Sequence, residues 1–345
     1  MSSNASRGLS HGGVLHEYAP RLVAFEFTPP AEGINKINSL IFVGGLTDGF
    51  CTVPYVSKLA KALENTEWSV FSVLLSSSYG GWGVGSLDRD VEELGQCVRF
   101  IRDLKASRQP GAPTKGGKIA VMGHSTGSQD VLHYLYSPNP VPEKEFNLGL
   151  KHIVRPELDG AILQAPASDR EGLQAIIDSS DQPEEIKKVY DQLVGFAKKQ
   201  PYTEDQSDSI LPMNLTAKLS YPPDTPLSAR RFLSLVSPES PEHPSDDDVF
   251  SSDLTDKRLQ ETFGMIGTRG LIDSKIMFLY SGEDEYCPHW VDKAKLLQRW
   301  QQATEAGGAQ WDSENSGVIT GASHNVHSEG QQDLIDRVVR YLHSL

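Results

Sequence analysis

The chain has 345 residues, 38% of them hydrophobic, and a formal net charge of -14. That length supports a large core without disulfides or a structural metal, and the acidic balance argues against nucleic acid or an anionic membrane as partner and favours a neutral or cationic ligand. Cys51, Cys97 and Cys287 are odd in number, far apart and without C-x-x-C spacing, which indicates neither a disulfide framework nor a zinc site and fits a reducing compartment.

The chain opens with a polar tail over 1–13. No basic stretch followed by an apolar core occurs in the first thirty residues, and no apolar run approaches membrane-spanning length, so a soluble cytosolic protein is expected. Val14 to Phe27 holds the first strands, and Ser39 to Val43 reads as a buried strand ending in Gly44-Gly45. A helix from Val53 to Asn65 and a strand from Trp68 to Leu75 follow. Leu87 to Leu104 is a long amphipathic helix with Val91, Leu94, Val98 and Ile101 on one face, and with Asp88 and Asp90 in the first turn, where the helix dipole favours anions.

After a loop over Pro110 to Gly117, a strand at Lys118 to Met122 leads through a turn into a helix at Ser128 to Tyr136. Further strands fall at Leu158 to Leu163, Lys275 to Tyr280 and Val318 to Thr320, and Gln331 to His343 closes the chain as a helix. Strands alternating with helices predict an α/β fold with a mostly parallel sheet. The long stretch between the strands at 158 and 275 exceeds any loop of a compact domain. The expectation is a core of 14–165 and 274–345 with a lid inserted over 166–273. Within the insertion, Ser237 to Asp248 is rich in Pro, Ser and acidic residues and is expected to be exposed and mobile. Met213, Leu215, Phe232, Leu233 and Phe250 either line an acyl pocket or form the lid's own core.

Chemistry concentrates at Gly123-His124-Ser125-Thr126-Gly127, a G-x-S-x-G between strand and helix. In that setting the Ser sits on a strained turn that lifts its hydroxyl out of the sheet, and the glycines let strand and helix approach closely. Gly8-Leu9-Ser10-His11-Gly12 matches the same spacing, but no strand precedes it, so the flanks single out Ser125. A serine hydroxyl needs a base in contact and a third group to orient that base. In the order Ser, acid, His, the acid follows the strand at 275–280, where Asp284 is favoured over Glu283 and Glu285 because Gly282 and Pro288 bracket a tight turn.

The base falls after the last strand, in Gly321-Ala322-Ser323-His324-Asn325-Val326-His327, with His324 favoured over His327. Charge on the attacked carbonyl oxygen calls for two backbone N–H donors. Thr126 supplies one, and the loop after Val43 supplies the other through Leu46, with Gly45 second. No histidine lies in a metal-ligand pattern such as H-E-x-x-H, and neither metal nor cofactor is called for. Arg170, just past a strand end, either orients substrate or pairs with a neighbouring acid.

The elbow, the run Leu163-Gln164-Ala165-Pro166-Ala167-Ser168-Asp169-Arg170-Glu171, the turn Gly282-Glu283-Asp284-Glu285-Tyr286 and Gly321-Ala322-Ser323-His324-Asn325 together resemble a fungal and plant family of α/β-hydrolases long described as of unknown function. The likeness runs from Val14 to the carboxyl terminus. Fungal members of that family include cytosolic esterases that cleave fusarinine-type siderophores. The resemblance therefore implies an α/β-hydrolase fold, a triad at Ser125, Asp284 and His324, and a small-molecule ester, a ferric siderophore, as substrate. It leaves open a carboxylesterase or thioesterase acting on another small acyl compound, and a binding protein without turnover.

Overall fold

The computed structural model describes residues 10–27, 36–108, 117–144, 149–199 and 208–345. The first copy of the G-x-S-x-G spacing begins at Gly8, outside them, as do most of the 1–13 tail and all but the last residue of the loop at 110–117. The elements are β1 (Val14–Ala19), β2 (Leu22–Glu26), β3 (Asn38–Val43), α1 (Tyr55–Ala62), β4 (Trp68–Val73), α2 (Leu87–Ser107), β5 (Ile119–His124), α3 (Gly127–Tyr136), β6 (Gly160–Gln164), α4 (Asp169–Ser179), α5 (Pro183–Lys199), α6 (Met213–Thr216), α7 (Ala229–Val236), α8 (Asp256–Glu261), α9 (Ile266–Arg269), β7 (Lys275–Ser281), α10 (Lys293–Ala306), β8 (Gln310–Trp311), β9 (Gly317–Ile319) and α11 (Gln331–Ser344).

The strands form one sheet in the order β1-β2-β4-β3-β5-β6-β7-β8, with β9 also paired to β7. The β1–β2 and β2–β4 pairings are antiparallel and the rest are parallel. A parallel sheet needs helices on both faces, and the two-residue side-chain period shows how the chain supplies them. Ile41 and Val43 face one core with Val91, Leu94 and Val98 of α2, Val131 and Leu135 of α3, and Trp300 of α10. Leu40 and Phe42 point the other way, to Tyr55 and Leu59 of α1 and Leu334, Val338 and Tyr341 of α11. Among the described residues no helix is long and apolar enough to cross a membrane.

The stretch between β6 and β7 divides in two. Leu173 and Ile177 of α4, Val189 and Leu193 of α5, and Phe232 and Leu235 of α7 make a separate core closed by Trp82. By contrast, Val249, Phe250, Leu254, Leu259, Phe263 and Ile266 belong to the core under the sheet, where the Phe263 ring stacks on Trp300 at 5.4 Å and 12°. The second half of the stretch is thus part of the sheet's own packing. Nor is Ser237 to Asp248 uniformly exposed: Ser237, Asp247 and Asp248 are buried, because Arg231 and Arg170 draw the two carboxylates inward. Composition alone cannot register that pairing. Helix α10, with Asp292 as its N-cap and Leu296, Leu297, Trp300 and Ala303 buried, was legible as a helical period but was not read from the sequence.

Candidate active site

β5 delivers Ser125 and α3 begins two residues later, so the turn between them is very tight. Ser125 has φ +55, a left-handed conformation that costs a non-glycine residue of order 1–3 kcal/mol. Its amide is held by Gln164 O at 2.9 Å, and the Ser128 hydroxyl ties the turn down by donating to Gly123 O at 3.1 Å and Gln164 O at 3.0 Å. A Cβ on Gly123 would lie 2.1 Å from Gly127 O, and one on Gly127 would lie 2.5 Å from Val43 O. Only glycine fits either place. A Cβ on Gly45 would lie 2.6 Å from Ser125 Cβ, so Gly45→Ala pushes on the Ser125 side chain itself. We expect that substitution to lower kcat by about 100-fold while leaving the unfolding midpoint close to wild type; unchanged turnover would show that the loop yields instead.

The residues expected as acid and base, Asp284 and His324, come from the loops after β7 and β9. Both carboxylate oxygens of Asp284 lie 2.9 Å from His324 Nδ1, and both side chains are buried. The Tyr286 amide donates to Asp284 Oδ1 at 3.0 Å and fixes the carboxylate plane. Glu285 instead accepts from the His324 backbone amide at 2.8 Å, anchoring the loop, while Glu283 and His327 are exposed. Ser125 and His324 line one cleft of about 370 Å³ together with Leu46 and Thr126. No hydrogen bond joins Ser125 to His324 in this arrangement, a spacing that commonly tightens only once substrate is bound. The Gly45 amide donates to Asp48 Oδ2 at 2.9 Å, whereas no partner among the described residues takes the Leu46 or Thr126 amide. Of the two loop donors weighed from the sequence, Leu46 is the uncommitted one.

The remaining cleft walls separate the alternatives left open by the sequence. None of Met213, Leu215, Phe232, Leu233 or Phe250 borders the cleft; Leu173, Ile176, Leu219, Tyr221 and Pro222 do. Phe232 is in the core of α4, α5 and α7, with Leu215 and Leu233 packed against it, and Phe250 is under the sheet. Met213 is 42% exposed. Arg170 also stays out of the cleft and pairs with Asp248 at 2.9 Å and with Asp253. Among the described residues the lining includes Asp48 and Asp169 but no Lys or Arg. Burial pushes Asp169 up to about 6, against the hydrogen bond it accepts from Gln129. No group of three or more His, Cys, Asp or Glu able to hold a metal occurs among the described residues.

Sequence reasoning passed over His124. Its buried ring meets Gln164 through Nδ1 and Asn325 Oδ1 at 2.9 Å through Nε2, and it lies 5.0 Å from the His324 ring. Gln164 in turn accepts from the Tyr55 hydroxyl at 2.9 Å. Burial, reinforced by His324, pushes His124 down to about 4, so it is neutral near pH 7. Between the ordinary histidine value and that depressed one the unfolded chain binds a proton the native chain refuses, so the native state loses stability as pH falls from about 6.5 to about 4. Urea unfolding across that window should show a steeper loss for wild type than for His124→Gln; parallel curves would mean that His124 takes its proton inside the fold.

A model of the family described as a protein of unknown function (DUF1749) matches residues 1–344. The chain belongs to that family. Among DUF1749 relatives, the fusarinine C esterase sidJ of Aspergillus fumigatus is 48% identical over 344 residues, covering 96% of each chain. The solved structure of the siderophore hydrolase EstB from Aspergillus fumigatus is 47% identical, with TM-score 0.84 over 97% of this chain and 98% of that one. A solved structure described as an alpha/beta hydrolase fold protein of unknown function is only 13% identical, with TM-score 0.51 over 98% and 97% of the two chains, and shares the fold alone. This DUF1749 chain therefore has the α/β-hydrolase fold, as the elbow and strand order led one to expect.

Proposed function

We propose that the chain is a cytosolic serine esterase that hydrolyses the ester bonds of a fusarinine-type ferric siderophore and so releases iron. The observation that carries this reading is the Asp284–His324 pair at 2.9 Å, buried beside a cleft that also holds the strained Ser125, in a chain 48% identical to a fusarinine C esterase. In the reaction, His324 takes the Ser125 proton as Oγ attacks the ester carbonyl, and Asp284 holds the imidazole tautomer and stabilises its positive charge. The Leu46 and Thr126 amides receive the developing oxyanion. His324 then protonates the departing alcohol, and a water that it activates hydrolyses the acyl-enzyme. The iron is cargo on the substrate. Asp48 and Asp169, in a cleft lined by no Lys or Arg among the described residues, favour an acyl group that is neutral or carries an ammonium.

The decisive experiment incubates the protein with ferric fusarinine C, its acetylated form and short p-nitrophenyl esters, with products followed by mass spectrometry. Linear hydroxamate products from fusarinine C are expected at rates well above those of the simple esters. Rapid cleavage of p-nitrophenyl esters with intact siderophore would remove the substrate while keeping the esterase.

A further inference from the structure

A second, much smaller cavity of about 20 Å³ also borders the oxyanion loop at Gly45, Leu46 and Thr126, and its polar walls are Ser77, Ser78, Trp82, Asp90, Gln129, Asp130 and Arg231. Three of these residues carry a polar atom with no partner among the described residues: Trp82 Nε1, Asp90 Oδ1 and Gln129 Oε1. Their side chains are no more than 2% exposed. The Gln129 amide cannot be turned to relieve the problem, because its Nε2 already donates to Asp169 Oδ2 at 2.7 Å and to Asp247 O at 3.1 Å. Each such orphan costs of order 1–3 kcal/mol if nothing meets it.

The three atoms define their ligand by hydrogen-bond type. One donor and two acceptors need a group that accepts once and donates twice. A cation would satisfy the two oxygens but would face the Trp82 N–H, and an anion would do the reverse. A cavity of roughly 10–15 Å³ or more on this measure holds one water. We propose that a single long-lived water molecule is bound here, accepting from Trp82 Nε1–H and donating to Asp90 Oδ1 and Gln129 Oε1, as a built-in part of the oxyanion-loop scaffold. It joins three segments: the turn at Gly81–Val84, whose Trp82 ring closes the core of α4, α5 and α7; helix α2 through Asp90; and helix α3 through Gln129, one turn past Ser125. Burial, with Glu93 adding to it, pushes Asp90 up to about 7. Water serves either protonation state by reversing one hydrogen bond, which a metal ion cannot do.

A crystal structure of the native protein at atomic resolution tests this directly. One solvent peak is expected at about 2.7–3.2 Å from all three atoms, and Trp82→Phe should lose it. Oxygen-17 relaxation dispersion in solution should count one fewer long-lived internal water in the variant. A cavity without density in the native crystal, or a peak that vanishes when potassium and sodium are replaced by choline, overturns the proposal. The native protein decides between these outcomes even if the variant does not fold.

Discussion

Ser125→Ala is expected to lose about 10⁴–10⁶-fold in kcat on any ester the wild type cleaves, and to lose all labelling by a fluorophosphonate probe. The size follows from the way nucleophile, base and orienting acid act as one unit, so that removing the first leaves only oxyanion stabilisation and binding. Asp284→Asn should cost about 10⁴-fold, since an amide beside His324 Nδ1 favours the wrong tautomer at the 2.9 Å contact. Both variants should fold, because Asp284 keeps a hydrogen-bonding side chain and Ser125 keeps its backbone bond to Gln164. The two readouts separate cleanly: a wild-type protein that the probe fails to label would make the chain a binder and not an enzyme, and a fully active Ser125→Ala would move the nucleophile elsewhere.

Arg231→Met should remove about 3–5 kcal/mol of stability, measured by urea unfolding. Arg231 is buried, pairs with buried Asp247 and donates from Nε to Trp82 O at 3.1 Å. Asp90, Asp130, Asp169 and Asp247 all act electrostatically on this one guanidinium. Burial drives Asp90 and Asp130 toward their neutral forms, and Asp247 is the carboxylate in direct contact with the guanidinium. Removing the cation strands that carboxylate in a low-dielectric site, and breaking one side of a buried pair is what costs several kcal/mol. The double variant Arg231→Met with Asp247→Leu should recover most of the loss, since replacing both partners by apolar groups of similar size removes the stranded charge. A single-variant loss below about 1 kcal/mol would mean that the remaining partner of Asp247, the Ser234 hydroxyl, offsets the lost pairing.

The sheet was legible because its strands are continuous apolar runs whose two faces are both covered; Ser39 to Val43, Trp68 to Leu75 and Leu158 to Leu163 each lie within two residues of a strand end. The positions of the elbow and of the loops that carry Asp284 and His324 were legible for the same reason, since each follows a strand: β5, β7 and β9. Contacts made across sequence distance were not. Nothing local marks Asp247 and Asp248 as partners of Arg231 and Arg170, so an acidic, Pro-rich stretch read as exposed. The apolar lining of the cleft escaped for a related reason: Phe232 and Leu173 are equally apolar in sequence, and only the packing of α4 against α7 decides which one reaches the cleft. His124 lay in plain sight inside the elbow, but its role depends on Gln164 and Asn325, 40 and 201 residues away.

The division of the chain between β6 and β7 has a practical consequence for altering selectivity. The walls supplied by Leu173, Ile176, Leu219 and Tyr221 sit in a module with its own apolar interior, whereas Val249, Phe250, Leu254, Leu259, Phe263 and Ile266 pack into the core beneath the sheet. A chimera that exchanges only 169–236 with a homologue, keeping Arg170 and Arg231 for Asp248 and Asp247, would bring in a new cleft wall and leave the sheet in place. Extending the graft to β7 would tear out Phe250, Phe263 and their stack on Trp300.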